Sequence, residues 1–582
     1  MNVGQAVQKK ADRRSDFAGS AYSSFLIWGI CSSLSTTICT IVDSLLVGNL
    51  AGSDGLAVVN VATPVYLIYA LCGVTIGIGA NVRIGRLLGE AKEEEANRVF
   101  SAQLTIGLII ALACLSPLLF RETYYSFIGV TPQLYGLADQ YLRIVLWAAP
   151  MFIMYHILSA SVKTDSDPRT AAVSSAVVIG TNIILDFTFM KGLQMGVRGA
   201  SLSLCIAETL GFLVLLTHFL KKHRMLRIKL SVPTFADVRH FIWDGFSSGS
   251  AFVFSAVVML VFNTLLFRFK GDEGTFYVAV YGILYTVQTI PCGIFEGASV
   301  SLSTVTPFLI GESDAEGTKR VQRMALTVAA VAGAVIAMVC AGFPGIIMGF
   351  FGIADAAAER ALQLFAICLI PMGINTITTS FWQAVGRTRL ANVLSVLRNC
   401  AVILVSGIVL IPMFNIKGVA LAYCVSELLC LLFVLMVRTI SPSDAFVQES
   451  CSSYDQKFEA DYRMEKESME RISSDIAAVC DQWGIGVSQS FLINFVCEEV
   501  LLNIIKFAVG SKKSRRQYYI SVKIIAKGED YILCIKDNVG LYNPFESNGD
   551  AIDNGVLNLI KKKAKKYEYQ RKLIFNYLYI SV

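Results

Sequence analysis

Long apolar windows alternate with short polar connections up to about Arg438, and beyond that point the pattern changes. The windows lie near 20–48, 56–82, 98–120, 134–162, 170–190, 197–220, 240–266, 275–308, 322–349, 358–384, 391–413 and 417–438. Each is long enough to cross a ~30 Å hydrocarbon layer as a helix, so the pattern predicts about twelve transmembrane helices. After Ser441 a polar linker, SPSDAFVQESCSS (441–453), leads into ordinary soluble patterning. A charged helical stretch (DYRMEKESMERISSDIAAVCDQWG) comes first, then an apolar helix over 489–508 and two strands, YYISVKIIA and YILCIKD. A loop, a helix over 553–566 and final strands complete the order expected of a small α+β domain.

Basic residues orient the spans. With a cytosolic N-terminus, the inside connections carry Arg83, Arg86 and Arg98, then KKHRMLRIK (221–229), then Lys319, Arg320 and Arg323, then Arg387 and Arg389. The opposite connections hold few basic residues, so the positive-inside rule places both termini in the cytosol. The two halves also repeat. GEAKEEEANRV (89–99) returns as GESDAEGTKRV (311–321) at an offset of 222, and GASLSLCIAETL (199–210) as GVALAYCVSELL (418–429) at an offset of 219. Six spans per half give both halves the same orientation, hence a parallel repeat about an axis along the membrane normal. The expected architecture is an all-α polytopic membrane protein of two six-helix lobes, followed by the α+β domain. Its divisions are a cytosolic N-terminus (1–19), a first lobe (20–222), a basic inter-lobe loop (223–239), a second lobe (240–438), a linker (439–456) and a cytosolic tail (457–582).

Composition narrows the chemistry. Hydrophobic residues make up 54% of the 582 and charged residues only 16%, well below the roughly one quarter usual in soluble proteins. Fifteen cysteines without a CxxC pair, together with four scattered histidines, argue against a zinc or iron–sulfur site. Acids inside the spans therefore stand out, because a carboxylate in hydrocarbon costs several kcal/mol unless something offsets it. Asp43 lies near the end of the first span. Asp186 lies in the fifth, in TNIILDFTFM (181–190), with Asn182 four residues earlier on the same helical face. Two carboxylates and an amide oxygen suit Na⁺, or the acids share a proton. A structural pairing of either acid with Arg143 is the plainer alternative.

Several stretches resemble the multidrug and toxic-compound extrusion (MATE) family: IVDSLLVGNLAGSDGLAVVNVATPVYLI (41–68), GANVRIGRLLGEAKEEEANRV (79–99), DPRTAAVSSAVVIGTNIILDFTFMKGLQMGVRGASLSL and FWQAVGRTRLANVLSVLRNCAVIL. The resemblance covers roughly 20–438. It implies a two-lobed plasma-membrane exporter that exchanges a small organic, often cationic, compound for Na⁺ or H⁺. It also implies a coupling-cation site at Asp43, Asn182 and Asp186, lined by Tyr141. Where the family often carries a threonine in the sixth span this chain has Leu204, with Ser203 beside it, so one hydroxyl ligand is expected to be missing. Glu208 and Glu427 occupy equivalent repeat positions, with a functional or an inherited packing role. Glu296, in PCGIFEGASVSL, is a candidate for attracting a cationic substrate.

In the tail, CEEVLLNIIKFAVG resembles the N-box of histidine-kinase-like ATPases, in particular the serine kinases that act as anti-sigma factors. That implies a catalytic role for Glu499 and Mg²⁺ binding by Asn503, with Asp537 of IKDNVGLYNPFE reading the adenine of ATP. The phosphate-binding glycines are reduced, since Val539 stands where a glycine is usual and the lid keeps only Gly555. A partner-binding remnant that engages a cytosolic protein is the alternative. Three functions follow: a cation-driven exporter, a membrane sensor signalling through the tail, and a lipid-linked sugar flippase. None involves nucleic acid, and none makes the membrane part an enzyme.

Overall fold

A computed structural model of the chain describes residues 17–50, 52–128, 130, 133–221, 224–229, 231–270, 274–353, 355–440, 447, 456–464, 466–510, 518–527, 530–544 and 564–581. The chain divides into two compact units: Tyr22–Cys451, and Ser452–Val582 together with Met1–Ala21.

The larger unit is helical throughout. Its first half comprises α1 (Phe17–Leu50), α2 (Gly52–Gly89), α3 (Glu93–Ala113), α4 (Arg121–Phe127), α5 (Tyr135–Trp147), α6 (Ala149–Thr164), α7 (Pro168–Asp186) and α8 (Gly196–Thr217). Its second half comprises α9 (Phe235–Lys270), α10 (Gly274–Gly311), α11 (Ala315–Gly342), α12 (Pro344–Phe350), α13 (Ala356–Ala366), α14 (Leu369–Ala384), α15 (Thr388–Val396), α16 (Val402–Phe414) and α17 (Ile416–Ile440). Among the described residues nine helices are long and apolar enough to cross a membrane, or eleven when each of two bent pairs is one span. The remaining expected span, 20–48, falls on α1, whose side chains from 39 onward lie outside the described residues.

Two expected spans are broken rather than continuous. α5 and α6 meet at 46°, and α13 and α14 at 42°. Pro150 and Pro371 lie just inside the second member of each pair, where the ring removes an N–H and crowds the preceding turn. Two others switch to a wider π-helical turn near their ends, at Phe187–Gly192 after α7 and at Leu397–Ala401 between α15 and α16. Such turns shift side chains out of α-helical register and recur at functional sites.

The halves meet backbone to backbone at the end of the bundle where α2 and α10 finish. A Cβ on Gly79 would lie 2.0 Å from the Phe241 carbonyl oxygen, and one on Gly245 would lie 1.9 Å from that of Thr75. Gly89 and Gly311 make the same approach between α2 and α10, and Gly29 and Gly297 between α1 and α10. In lipid no hydrophobic force draws helices together, so close approach through small residues supplies the dispersion contact. Side chains reinforce this end. Asp237, at the start of α9, caps its own helix through Thr234 and pairs with Arg98 (3.2 Å) and Arg83 (3.5 Å) of the first half. Part of the basic inter-lobe loop is extended along the first half. Asp165 accepts from the Met225 amide at 2.9 Å, Asn97 from Arg227 at 2.7 Å, and Ser101 from Lys229 at 2.8 Å.

The smaller unit runs β1 (Gln456–Arg463), α18 (Lys466–Gln482), α19 (Val487–Gly510), β2 (Tyr519–Lys527), β3 (Asp530–Asp537), β4 (Lys566–Lys572) and β5 (Phe575–Ser581). Its antiparallel sheet has the order β1-β2-β3-β5-β4. One correction concerns the charged stretch expected to be helical from Asp461. Gln456–Arg463 is an edge strand paired with β2, and the helix starts at Lys466. The expected helix over 553–566 lies outside the described residues except for its end, which leads into β4. Ile472, Ile476, Val496, Val500 and Ile504 of the two helices pack on Val522, Ile524, Leu533, Ile535 and Ile580 of the sheet.

The glycine seam carries a prediction. Gly245→Ala forces α2 and α9 apart and should lower stability by about 2–4 kcal/mol, by analogy with overpacked cores. Gly349→Ala, where nothing lies within 4 Å, should cost under about 1 kcal/mol. Thermal unfolding of the detergent-solubilised chain distinguishes the two.

Candidate functional site

The best-built polar site lies where α7 ends. Asn182 and Asp186 are completely buried, one turn apart on the face that packs on α8. Asp186 is the last α-helical residue before the π turn, which places its carboxylate at a change of helical register. The Ser203 hydroxyl of α8 donates to Asp186 Oδ1 and also reaches the Ala200 carbonyl oxygen at 2.9 Å. The hydroxyl expected to be missing at Leu204 is thus supplied one residue earlier. A helix advances 100° per residue, so the serine rather than the leucine faces α7. Tyr141 of α5 is buried, and its hydroxyl bonds to that of Tyr66 of α2 at 3.0 Å. Asp43 belongs to α1, but its side chain lies outside the described residues. Arg143 is exposed on α5, and none of the described ion pairs joins it to Asp186. As a donor set, a carboxylate, an amide oxygen and a hydroxyl suit a hard monovalent cation or a proton.

The second half treats its buried acid differently. Arg398, in the π turn, donates to Glu427 Oε1 at 2.7 Å, and Asn375 donates to Oε2 at 2.8 Å and to the Glu427 carbonyl oxygen at 2.9 Å. The guanidinium also reaches the Met372 carbonyl oxygen at 3.3 Å. This clamp was not foreseen from the sequence, although a basic residue amid apolar ones in VLRNCAVIL was its visible trace. Glu296 is exposed on α10, and its carboxylate interacts electrostatically with Lys163 of α6, from the other half.

In the tail, Asp537 ends β3 almost wholly buried. Its Oδ1 accepts from the Val539 amide and from Asn576 Nδ2, both at 2.9 Å. Asn576 of β5 also bonds to the Gly540 carbonyl oxygen at 3.0 Å, closing the 539–540 loop onto the sheet. Burial outweighs these donors and pushes the Asp537 carboxyl up to about 7. Glu499 is half-buried on α19. Asn503 is buried and donates to the Glu499 carbonyl oxygen at 3.0 Å, so its amide turns onto its own helix. Phe507 stacks on Tyr542 at 4.2 Å.

The MatE family model matches residues 30–188 and 251–409. The multidrug export protein MepA of Staphylococcus saprophyticus is 24% identical over 425 residues, covering 70% of this chain and 90% of that protein. MepA of Staphylococcus aureus strain NCTC 8325 is 26% identical over 422 residues, covering 69% and 90%. A structure described as an outward-facing multidrug resistance MATE transporter superposes with a TM-score of 0.69 at 18% identity, over 76% of this chain and all of that one. A Pyrococcus furiosus transporter described as having a binding pocket of reversed polarity gives 0.67 at 18% identity, over 75% and 99%. These structures share the fold of the larger unit.

Two measurements check the sites. Ser203→Ala removes a charge-assisted hydrogen bond and should lower stability by about 1–3 kcal/mol. In the Asp186→Asn background the same change should cost less, the difference being the pair's coupling energy. For the tail, the folded Asp537 holds its proton to a higher pH than the unfolded chain does. Tail stability is therefore greatest below about pH 4 and falls by about 4 kcal/mol as pH rises to about 7. Urea unfolding, followed by Trp483 fluorescence with the other tryptophans replaced by phenylalanine, should show this slope, and Asp537→Asn should abolish it.

Proposed function

This chain belongs to the MatE family, and we propose that it is a secondary active exporter of small organic, often cationic, compounds, driven by Na⁺ or H⁺. The relatives described as multidrug export proteins support this reading. The observation that carries it is the wholly buried Asn182–Asp186–Ser203 cluster.

The physics of that cluster supplies the mechanism. An ionised Asp186 out of water is costly, and the Ser203 hydroxyl offsets only part of the cost. A proton or Na⁺ at Asp186, with Asn182 and Tyr141 alongside and Asp43 as the further carboxylate, neutralises it. The lobe arrangement that closes protein around the pocket is then favoured when the cation is present. Substrate favours the other arrangement, and each ligand shifts the balance only by its difference in affinity between the two. Glu296 presents a carboxylate to a cationic substrate, and Lys163 stands in its field as an internal competitor. With both termini in the cytosol of a plasma-membrane protein, the glycine seam lies at the cytosolic end and is the contact that must part for substrate to enter from that side.

For the tail we propose a regulatory role exerted through a cytosolic protein partner. The element order and the buried Asp537 favour the ATPase-like resemblance, with Mg²⁺ and ATP at Asn503 and Asp537 and Glu499 as the catalytic group. The Asn503 amide bonded to its own helix, and Asn576 bonded to Asp537, favour the partner-binding form.

Ethidium efflux from proteoliposomes under an imposed Na⁺ or pH gradient tests the reading. Asp186→Asn should lower gradient-driven efflux at least about tenfold, the loss of a group required for coupling. Truncation after Arg438 should alter regulation and leave coupling intact. Equal efflux from Asp186→Asn under both gradients would overturn the assignment.

A further inference from the structure

The internal repeat exposes a second acid in the first half that has kept its place and lost its partners. Glu208 of α8 and Glu427 of α17 are equivalent at the 219-residue offset of GASLSLCIAETL and GVALAYCVSELL. Glu427 is held by Arg398 and Asn375. Pro150-Met151 and Pro371-Met372 align at an offset of 221, so Met154 stands where the second half has Asn375. Arg169-Thr170 and Arg387-Thr388 align at 218, so Gly180 stands where it has Arg398.

Packing leaves the acid without a counterpart of that guanidinium. α7 and α8 run antiparallel, with Ser203 bonded to Asp186 at one level and Gly211 against Val178 and Ser174 at another. Glu208 falls between those levels on α8, and Gly180 falls between them on α7. Gly180 lies about 200° around α7 from Val178, on the face turned away from α8, and a Cβ added there would meet nothing within 4 Å, so no side chain at 180 takes the place of Arg398. Glu208 Oε2 is buried and has no hydrogen-bond partner among the described residues. The elements packed against α8 carry the titratable groups Asp139, Tyr141 and Arg143 on α5, Tyr155, His156 and Lys163 on α6, Arg169 and Asp186 on α7, Lys191 in the π turn and Tyr66 and Tyr69 on α2, and Cys205 of α8 is in electrostatic contact with Glu208. Of the basic groups, Lys163 interacts with Glu296, Arg143 is exposed, and the Cβ of His156 lies against Gly73 of α2. No described ion pair involves Glu208, and an ionised carboxylate buried without a counter-charge is strongly disfavoured.

We propose that Glu208 is a second proton-binding site of the first half, distinct from Asp186, which holds an exchangeable proton where its repeat counterpart holds a fixed guanidinium. This rests on the exporter reading only for its use. The proton is present or absent whether or not the chain transports.

Infrared difference spectroscopy of the full chain in detergent, over a pH series, tests it. The spectrum of the native chain minus Glu208→Gln should contain the C=O stretch of a protonated carboxylic acid, converting to carboxylate bands as pH rises. The same subtraction with Glu427→Gln should contain carboxylate bands alone. Carboxylate bands alone from Glu208 throughout the series would overturn the proposal.

Discussion

A carboxylate inside a membrane bundle must be neutralised, and the way each half of this chain meets that demand organises the rest of the larger unit. In the second half the neutraliser is permanent. Arg398 and Asn375 fix Glu427 on three helical segments at once and hold α14, the π turn and α17 as one block. Breaking such a pair strands a buried charge, which costs several kcal/mol. In the first half Asp186 is equally buried but meets a serine hydroxyl. In the proposed exporter the coupling cation supplies the rest of its neutralisation. One duplicated architecture thus holds an arginine-clamped acid in one half and a serine-bonded acid in the other.

The seam between the halves suits that division. Where glycine backbones touch across α2, α9 and α10, the contact is close but has few side chains to interlock. Dispersion along such a seam is strong when closed and vanishes within an ångström or two of separation, which favours two discrete arrangements over a continuum. Asp237, reaching Arg83 and Arg98 across the seam, adds a contact that breaks as a unit.

Much of this was legible in the chain itself, and the reasons are physical. Apolar windows, the basic connections and the 219–222 offsets expose spans and repeat because burial in lipid acts on every residue of a window. Asn182 and Asp186 were legible because acids are rare in such windows. Less visible were features that depend on register. The π turns move side chains without changing composition, so neither the role of Ser203 nor the reach of Arg398 follows from spacing alone. In the tail, Gln456–Arg463 carries charges that suit a helix, yet it serves as an edge strand because β2 presents an unpaired edge beside it. The resemblance of the membrane part was carried by motifs the family model also matches, whereas that of the tail rests on element order and a few polar residues.

The central claim is that a cation bound at Asp186 is exchanged for substrate. Its most direct test is the cation released when ethidium binds to the detergent-solubilised chain, followed by a pH dye in weak buffer and by a sodium electrode in parallel. The account predicts release of a proton or Na⁺ on ethidium binding by the native chain, and binding with that release lost in Asp186→Asn. Undiminished release from Asp186→Asn, or ethidium binding by the native chain with no cation released at any pH, would contradict it.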